Sequence, residues 1–234
     1  MKRMDASASR FIRSGLALLV IGAGACACSR HERPVTRVPA GPSATAIPPS
    51  PAKRCIVHLH GKSGTGAAAS LEGDVTHLRP SGNAPGWGGL QWLYFPDDGY
   101  AEVQRIVSRA ISEAGCGRVI LHGFSNGASA AGKLYCRGET FGGTAVGYVL
   151  DDPVPDHAVE HCAPAKGVKV RVYWTSALAE TIAGWSCSSS DFTCEGGTTI
   201  GIERYAAWLG QKPAPSVHQR HQPYDAPPEY VSWW

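Results

Sequence analysis

The segment from Arg118 to Gly127 constrains this chain more than any other. A short β-branched run, RVILH (Arg118–His122), leads directly into the residues GFSNG, and a stretch rich in small residues follows to about Arg137. The first run predicts a strand and the last stretch a helix, so Ser125 occupies a tight strand-to-helix turn. Larger side chains than glycine would clash beside such a turn, and the helix N-terminus beneath it stabilises negative charge. The segment therefore predicts a reactive, exposed hydroxyl on Ser125.

The rest of the folded part alternates between strand and helix patterns. A helix is predicted from Asp97 or Asp98 to the glycines after Ala114, with apolar residues at i, i+3, i+4 and i+7 spacing. A second is predicted over Thr198–Leu209, and a third lies in the terminal PPEYVSWW. Further strands are predicted at Cys55–His60, Gln91–Phe95, Val146–Leu150, Val168–Trp174 and near Ser216–Gln219. Such alternation indicates a single α/β domain with about six mainly parallel strands and helices on both faces.

A reactive serine also needs donors for the oxyanion that forms during acyl transfer. One is expected to be the backbone N–H of Asn126, the residue after the serine. The second should come from the loop that begins at His60, and we favour the N–H of Lys62. The same loop contains the triplet GKS of phosphate-binding loops, but Ile56 stands where that motif requires its first glycine. A nucleotide-binding interpretation is therefore rejected.

From Cys55 to Trp234 the chain resembles the α/β-hydrolase superfamily. The turn GFSNGA and the upstream His60-Gly61 pair are similar to small exported esterases, including polyhydroxybutyrate depolymerases and feruloyl esterases. In size the chain is closer to minimal, cutinase-like hydrolases, since it shows no obvious first and second strands and no cap domain. The resemblance implies a serine esterase with a triad in the chain order Ser, acid, His, and no metal or organic cofactor.

The predicted base is His221. It follows the last predicted strand and precedes the last helix, where a loop can hold its ring over Ser125. His218 is the alternative, but it falls within the predicted strand Ser216–Gln219 and is expected to be a surface residue.

The acid is open among five carboxylates that follow strands after Ser125: Asp151, Asp152, Asp156, Glu180 and Asp191. The run Leu150-Asp151-Asp152-Pro153 is similar to the LDP run of lipases, and this resemblance nominates Asp152. Pro153 is expected to keep the backbone of Asp152 extended. Asp151 should then point to the opposite side.

The N-terminal part of the chain predicts export. Residues 1–30 combine a basic start with a short apolar stretch ending in AGACACS, as signal peptides do. Cys26 follows three small residues in a loose lipobox, so a lipid anchor on Cys26 and free secretion both stay open. Residues 31–53 contain six prolines and are predicted to be an extended linker. Residues 54–234 are then the catalytic domain, secreted or anchored outside the cytoplasm.

The cysteines after the linker support export, because an even number in an exported chain suggests disulfides. We predict three pairs: Cys55–Cys116, Cys136–Cys162 and Cys187–Cys194. Paired metal-ligand spacing is missing from the sequence, so no zinc site is predicted.

The expected substrate is a small or polymeric ester. The formal net charge is only +3, much of it in the first residues, so a nucleic-acid partner is not expected. Two other interpretations stay open: a catalytically silent protein of this fold that binds a lipid or glycan at the cell surface, and a peptidase or acyltransferase using the same triad. The natural substrate and the oligomeric state cannot be read from the sequence.

Overall fold

A seven-stranded, mostly parallel sheet organises the fold of the computed structural model, which describes residues 51–175, 194–196 and 200–234. The strand order is β2-β3-β1-β6-β7-β8-β9, and every neighbouring pair is parallel except β2 and β3. The strands are β1 (Arg54–Leu59), β2 (Ala67–Glu72), β3 (Val75–Arg79), β6 (Arg118–Phe124), β7 (Ala145–Asp151), β8 (Lys169–Trp174) and β9 (Ala214–Pro215). The short strands β4 (Ala84–Pro85) and β5 (Leu90–Gln91) pair separately.

Two helices cover one face of the sheet. Helix α1 (Asp97–Glu113) turns Val103, Ile106, Val107 and Ile111 inward, as its apolar spacing predicts. It ends at Ala114, and Gly115 follows with φ of 65°, the left-handed conformation that commonly stops a helix. Every residue of helix α2 (Asn126–Cys136) is buried.

The other face is covered mainly by the C-terminal part of the chain. Along β1 the side chains alternate, so that Val57 joins the core under α1 and α2 and Ile56 joins the core of the opposite face. There Tyr224, Tyr230 and Trp233 pack over the sheet. Tyr230 belongs to the short helix α4 (Glu229–Ser232). The short helix α3 (Ile202–Trp208) packs instead into the core under α1 and α2, through Tyr205 and Ala206.

Two predicted disulfides are confirmed. Cys55 in β1 is bonded to Cys116, just after α1, and Cys136 at the end of α2 is bonded to Cys162. For the third pair, Cys194 is disulfide-bonded, but Cys187 lies outside the described residues.

The α/β class and the mainly parallel sheet are confirmed, but the strand count differs from the expected six. The sequence shows no obvious strand between β1 and α1 other than Gln91–Phe95, yet β2 and β3 form an antiparallel hairpin there and extend the sheet to seven strands. Strand β2 (AAASLE) is exposed at the edge of the sheet, so its sequence shows no pattern of buried apolar residues.

The predicted strand Gln91–Phe95 is wrong beyond Gln91. Trp92 is fully buried, which explains the apolar run. However, the Trp92 N–H donates to the Asn126 side chain (2.6 Å) and the Leu93 N–H to the Asn83 side chain (2.7 Å). Side chains therefore satisfy this backbone in place of a neighbouring strand.

The last predicted strand is also displaced. Pairing with β8 covers Ala214 and Pro215, and the Ser216 N–H still donates to the Trp174 carbonyl at 3.0 Å. His218 therefore lies in the loop that follows β9 rather than within a strand.

Within the described residues, no helix combines the length and the apolar composition needed to cross a membrane. The predicted signal segment, the linker up to residue 50, Cys26, Glu180 and Asp191 lie outside the described residues.

Candidate active site

Ser125 alone forms the turn between β6 and α2. Its φ of 53° and ψ of −120° are uncommon for a residue with a side chain and are typical of strained functional positions. The Ser125 N–H donates to the Asp151 carbonyl of the adjacent strand β7 at 2.9 Å, and its own carbonyl accepts from the Ala128 N–H at 2.9 Å. Both bonds fix the backbone of the turn at the carboxyl end of a central strand.

The glycines around the serine are required by close backbone contacts. A Cβ on Gly127 would lie 2.1 Å from the Leu59 carbonyl oxygen, and one on Gly123 would lie 2.3 Å from the Gly127 carbonyl oxygen. Gly61, in the loop after β1, approaches the serine itself, since its Cβ would lie 3.2 Å from the Ser125 Cβ. The turn and this loop therefore pack so closely that no side chain fits between them.

His221 lies beside Ser125. Its Nε2 is 3.0 Å from the Ser125 Oγ, and its Nδ1 is 3.4 Å from the Asp152 Oδ2. The Phe124 ring packs against the imidazole with centroids 4.6 Å apart. With its Nδ1–H directed at the carboxylate, Nε2 is left to accept the serine hydroxyl proton. His218 instead contacts the Gln222 side chain at 2.6 Å.

Asp152 is buried and lies directly after β7. Its Oδ1 accepts the Thr175 N–H at 2.7 Å and its Oδ2 accepts the Thr175 hydroxyl at 3.2 Å. The expected extended backbone is wrong, because the φ of Asp152 is 47°. The Asp152 N–H donates to the Tyr173 carbonyl at 3.0 Å, so β8 holds the residue in this conformation.

Thr175 was not recognised in the sequence. It comes directly after β8, at the edge where the carboxyl ends of parallel strands meet, and β8 is the neighbour of the strand that carries Asp152. Its position directly after a predicted strand is the feature of the sequence that could have identified Thr175 as a site residue.

Two other candidate acids, Asp151 and Asp156, lie among the described residues and make different contacts. Asp151 accepts the Tyr224 N–H at 2.5 Å. Asp156 is buried away from solvent and accepts the Tyr94 hydroxyl at 2.5 Å and the Glu195 N–H at 2.7 Å. Burial raises the pKa of Asp156 to about 6. Among the described carboxylates, Asp152 is the one within reach of the His221 ring.

The loop after β1 is held by the His60 ring. Its Nε2 accepts the Gly82 N–H at 3.0 Å, so Nδ1 carries the proton and donates to the Gly61 carbonyl at 2.8 Å. Burial lowers the pKa of His60, which favours this neutral form. The Lys62 ammonium lies over the Trp87 ring, 4.2 Å from its centroid. The loop thereby brings the Gly61 backbone next to Ser125.

Asn126 opens α2 on the other side of the serine. Its side-chain oxygen accepts the Trp92 N–H at 2.6 Å, and its side-chain nitrogen donates to the Trp92 carbonyl at 3.1 Å. Since Asn126 is the first residue of the helix, its backbone N–H belongs to the first turn, where no intrahelical acceptor exists. A cleft of about 620 Å³ lies beside the loop after β1 and is lined by Gly61, Lys62, Phe124 and Tyr224 among others.

Metal ligands do not cluster in the described part of the chain. No group of three or more His, Cys, Asp or Glu side chains there could hold an ion.

No protein-family model matches the chain, and no curated protein matches it. Among solved structures it is similar to a carboxylesterase from Mesorhizobium loti, with 19% identity, a TM-score of 0.40, and coverage of 55% of this chain and 68% of that chain. It is also similar to the Bacillus cereus carboxylesterase, with 17% identity, a TM-score of 0.45, and coverage of 73% and 81%. The likeness transfers no activity or substrate to this chain, so a function has to be argued from the site.

Proposed function

We propose that this chain is a serine hydrolase that cleaves an ester, with Ser125 as nucleophile, His221 as base and Asp152 as the orienting acid. The observation that carries the proposal is the 3.0 Å contact between the His221 Nε2 and the Ser125 Oγ. The carboxylate behind the ring, 3.4 Å from Nδ1, completes the chain of contacts that an activated serine needs.

The proposed reaction has two halves. The Ser125 Oγ attacks the acyl carbonyl carbon while His221 Nε2 takes the hydroxyl proton. The tetrahedral intermediate collapses, His221 returns that proton to the leaving alcohol oxygen, and the acyl group stays on Ser125 as an ester. Water then attacks the acyl-enzyme while His221 takes its proton, and the return of that proton to the Ser125 Oγ releases the acid and restores the serine.

The oxyanion is proposed to be held by the N–H groups of Asn126 and Lys62. Two features support this assignment: the position of Asn126 in the first turn of α2, and the close approach of Gly61 to Ser125. The bonds between His60 and Gly82 and between Trp92 and Asn126 support the assignment, because they fix the two segments that carry the proposed donors, and electrostatic stabilisation of a transition state requires preorganised donors.

Asp152 is proposed to orient the His221 ring. Its two oxygens accept the N–H and the hydroxyl of Thr175, which stabilises the charged carboxylate and fixes its direction. It then keeps the proton of His221 on Nδ1 and stabilises the imidazolium that forms in each half reaction.

We also propose that the protein acts outside the cytoplasm, either secreted or anchored through Cys26. The two disulfides among described residues are compatible with an oxidising compartment.

The test compares ester hydrolysis by four variants on short p-nitrophenyl esters. Ser125→Ala and His221→Ala should each lose several orders of magnitude in kcat/KM, and Asp152→Asn about 10⁴-fold. His218→Ala is the matched control and should stay within a few-fold of the parent protein. Turnover by Ser125→Ala at near the parental rate would contradict the proposal.

Amide and thioester substrates should be assayed in parallel with the p-nitrophenyl esters. Preferential cleavage of the amides would identify a peptidase, and acyl transfer to an added alcohol in place of water would identify an acyltransferase. A folded parent protein that cleaves none of these substrates would favour the silent, ligand-binding alternative.

A further inference from the structure

The loop that carries His221 is joined to the sheet at two points. At its start the Ser216 N–H donates to the Trp174 carbonyl at 3.0 Å, and after His221 the Tyr224 N–H donates to the Asp151 Oδ2 at 2.5 Å. Between these points every residue except His218 is exposed. With so little buried surface of its own, this loop is positioned by these two backbone junctions together with the contacts of the His221 ring.

The second junction is made by a fully buried carboxylate. Asp151 is 0% exposed and ends β7 next to Asp152. The Nε2 of His122 is 3.9 Å from the same oxygen, beyond hydrogen-bond distance. The contact that gives this buried oxygen a partner is therefore the Tyr224 backbone.

The Tyr224 side chain adds to the junction. Its ring packs against the Tyr173 ring with centroids 5.1 Å apart, on the face of the sheet that the C-terminal part covers. The end of the loop is therefore held by two contacts of Tyr224, the backbone bond to Asp151 and the ring contact with Tyr173.

We propose that Asp151 is a positioning residue for the base: it holds the His221 loop through Tyr224, so that the imidazole reaches Ser125. The inference rests on the proposed function. Asp152 contacts the His221 ring, while its neighbour Asp151, the last residue of β7, holds the loop backbone three residues further on.

Loss of this junction should affect turnover more than binding. A displacement of a catalytic group by about 1 Å can lower a rate by about 10²-fold. Asp151→Ala removes the acceptor, and we expect kcat to fall by about 10²-fold with KM within a few-fold of the parent. Asp151→Asn keeps an oxygen acceptor and should retain kcat within about fivefold.

The donor can be tested from the other side of the bond. Tyr224→Pro deletes the N–H, and Tyr224→Ala is its matched control because it loses the ring and keeps the N–H. We expect kcat of the proline variant to lie at least tenfold below that of the alanine variant. This pair also decides the question if Asp151→Ala does not fold.

A spectroscopic readout separates positioning from general stability. The proton on the His221 Nδ1 should give a downfield NMR signal in the parent protein and in Asp151→Asn, and the signal should broaden or vanish in Asp151→Ala. Tyr230→Phe, which removes the hydroxyl 2.5 Å from the His122 Nδ1 on the same face, should leave the signal unchanged.

A folded Asp151→Ala with parental kcat would overturn the inference, as would equal losses in Asp151→Asn and Asp151→Ala or in the two Tyr224 variants. Ser125→Ala and His221→Ala are measured alongside. If these two abolish activity and the Asp151 series does not, only the positioning role fails. If Ser125→Ala stays active, the proposed function fails with it.

Discussion

Replacing Gly127 by alanine tests whether the serine turn depends on contact between α2 and β1. In most helices this change stabilises a protein by up to about 1 kcal/mol. Here the new Cβ would lie 2.1 Å from the Leu59 carbonyl oxygen and 2.5 Å from the His60 carbonyl oxygen. Both neighbours are backbone atoms and cannot rotate away, so helix and strand would have to separate by about 1 Å to reach a tolerable contact.

The expected cost follows from that overlap. Overpacking of this kind destabilises by about 1–3 kcal/mol, which for a chain of this length lowers Tm by about 2–4 °C per kcal/mol. Because Ser125 and Asn126 lie at the displaced helix start, ester turnover should also fall by about 10²-fold.

Thermal unfolding and p-nitrophenyl ester hydrolysis measure the two effects of Gly127→Ala. Gly201→Ala is the control, because nothing lies within 4 Å of a Cβ built on Gly201. It should change stability by less than about 1 kcal/mol and leave turnover unchanged. A Gly127→Ala variant as stable and active as the parent would refute the reasoning about the turn.

Two further predictions concern stability. The Cys55–Cys116 disulfide spans 61 residues, so the double variant to alanine should lose up to about 4 kcal/mol by the chain-entropy estimate; an unchanged denaturation midpoint would contradict this. Burial, then the charges of nearby His and Arg side chains, lowers the pKa of His58 from 6.5 to about 2. The unfolded chain then binds a proton below pH 6.5 that the folded chain does not, so stability is full above pH 6.5 and falls as pH decreases, by about 1.4 kcal/mol per pH unit. His58→Gln should reduce this slope by about one proton between pH 6 and 4, and an identical slope would count against it.

The parts of the fold that the sequence predicted are those where local pattern and burial agree. Helix α1 shows a clear apolar face, and β6, β7 and β8 are buried runs next to glycines or polar ends. Strand β2 has no such pattern because it is an exposed edge strand. The run after Gln91 looked like a strand because it is buried, but its hydrogen-bond partners are the distant side chains of Asn83 and Asn126, which no local pattern reveals.

The residues of the candidate site also differ in how far the sequence predicted them. Ser125 was predicted from the chemistry of its own turn, and His221 from its place in the chain. The structure brings both together with Asp152, which was nominated from five carboxylates by resemblance. The sequence did not predict the role of Thr175 or the bond between the Tyr224 N–H and Asp151. Both contacts depend on which strands are neighbours and on the direction in which a carboxylate points.

The most direct test of the central claim is labelling with a fluorophosphonate probe, followed by peptide mass spectrometry. Such a probe reacts with a serine only when a neighbouring base activates it. The account predicts one adduct, on the peptide that contains Ser125, its loss in Ser125→Ala and much slower labelling in His221→Ala. A folded protein that takes up no probe, or takes it up on another residue, would contradict it.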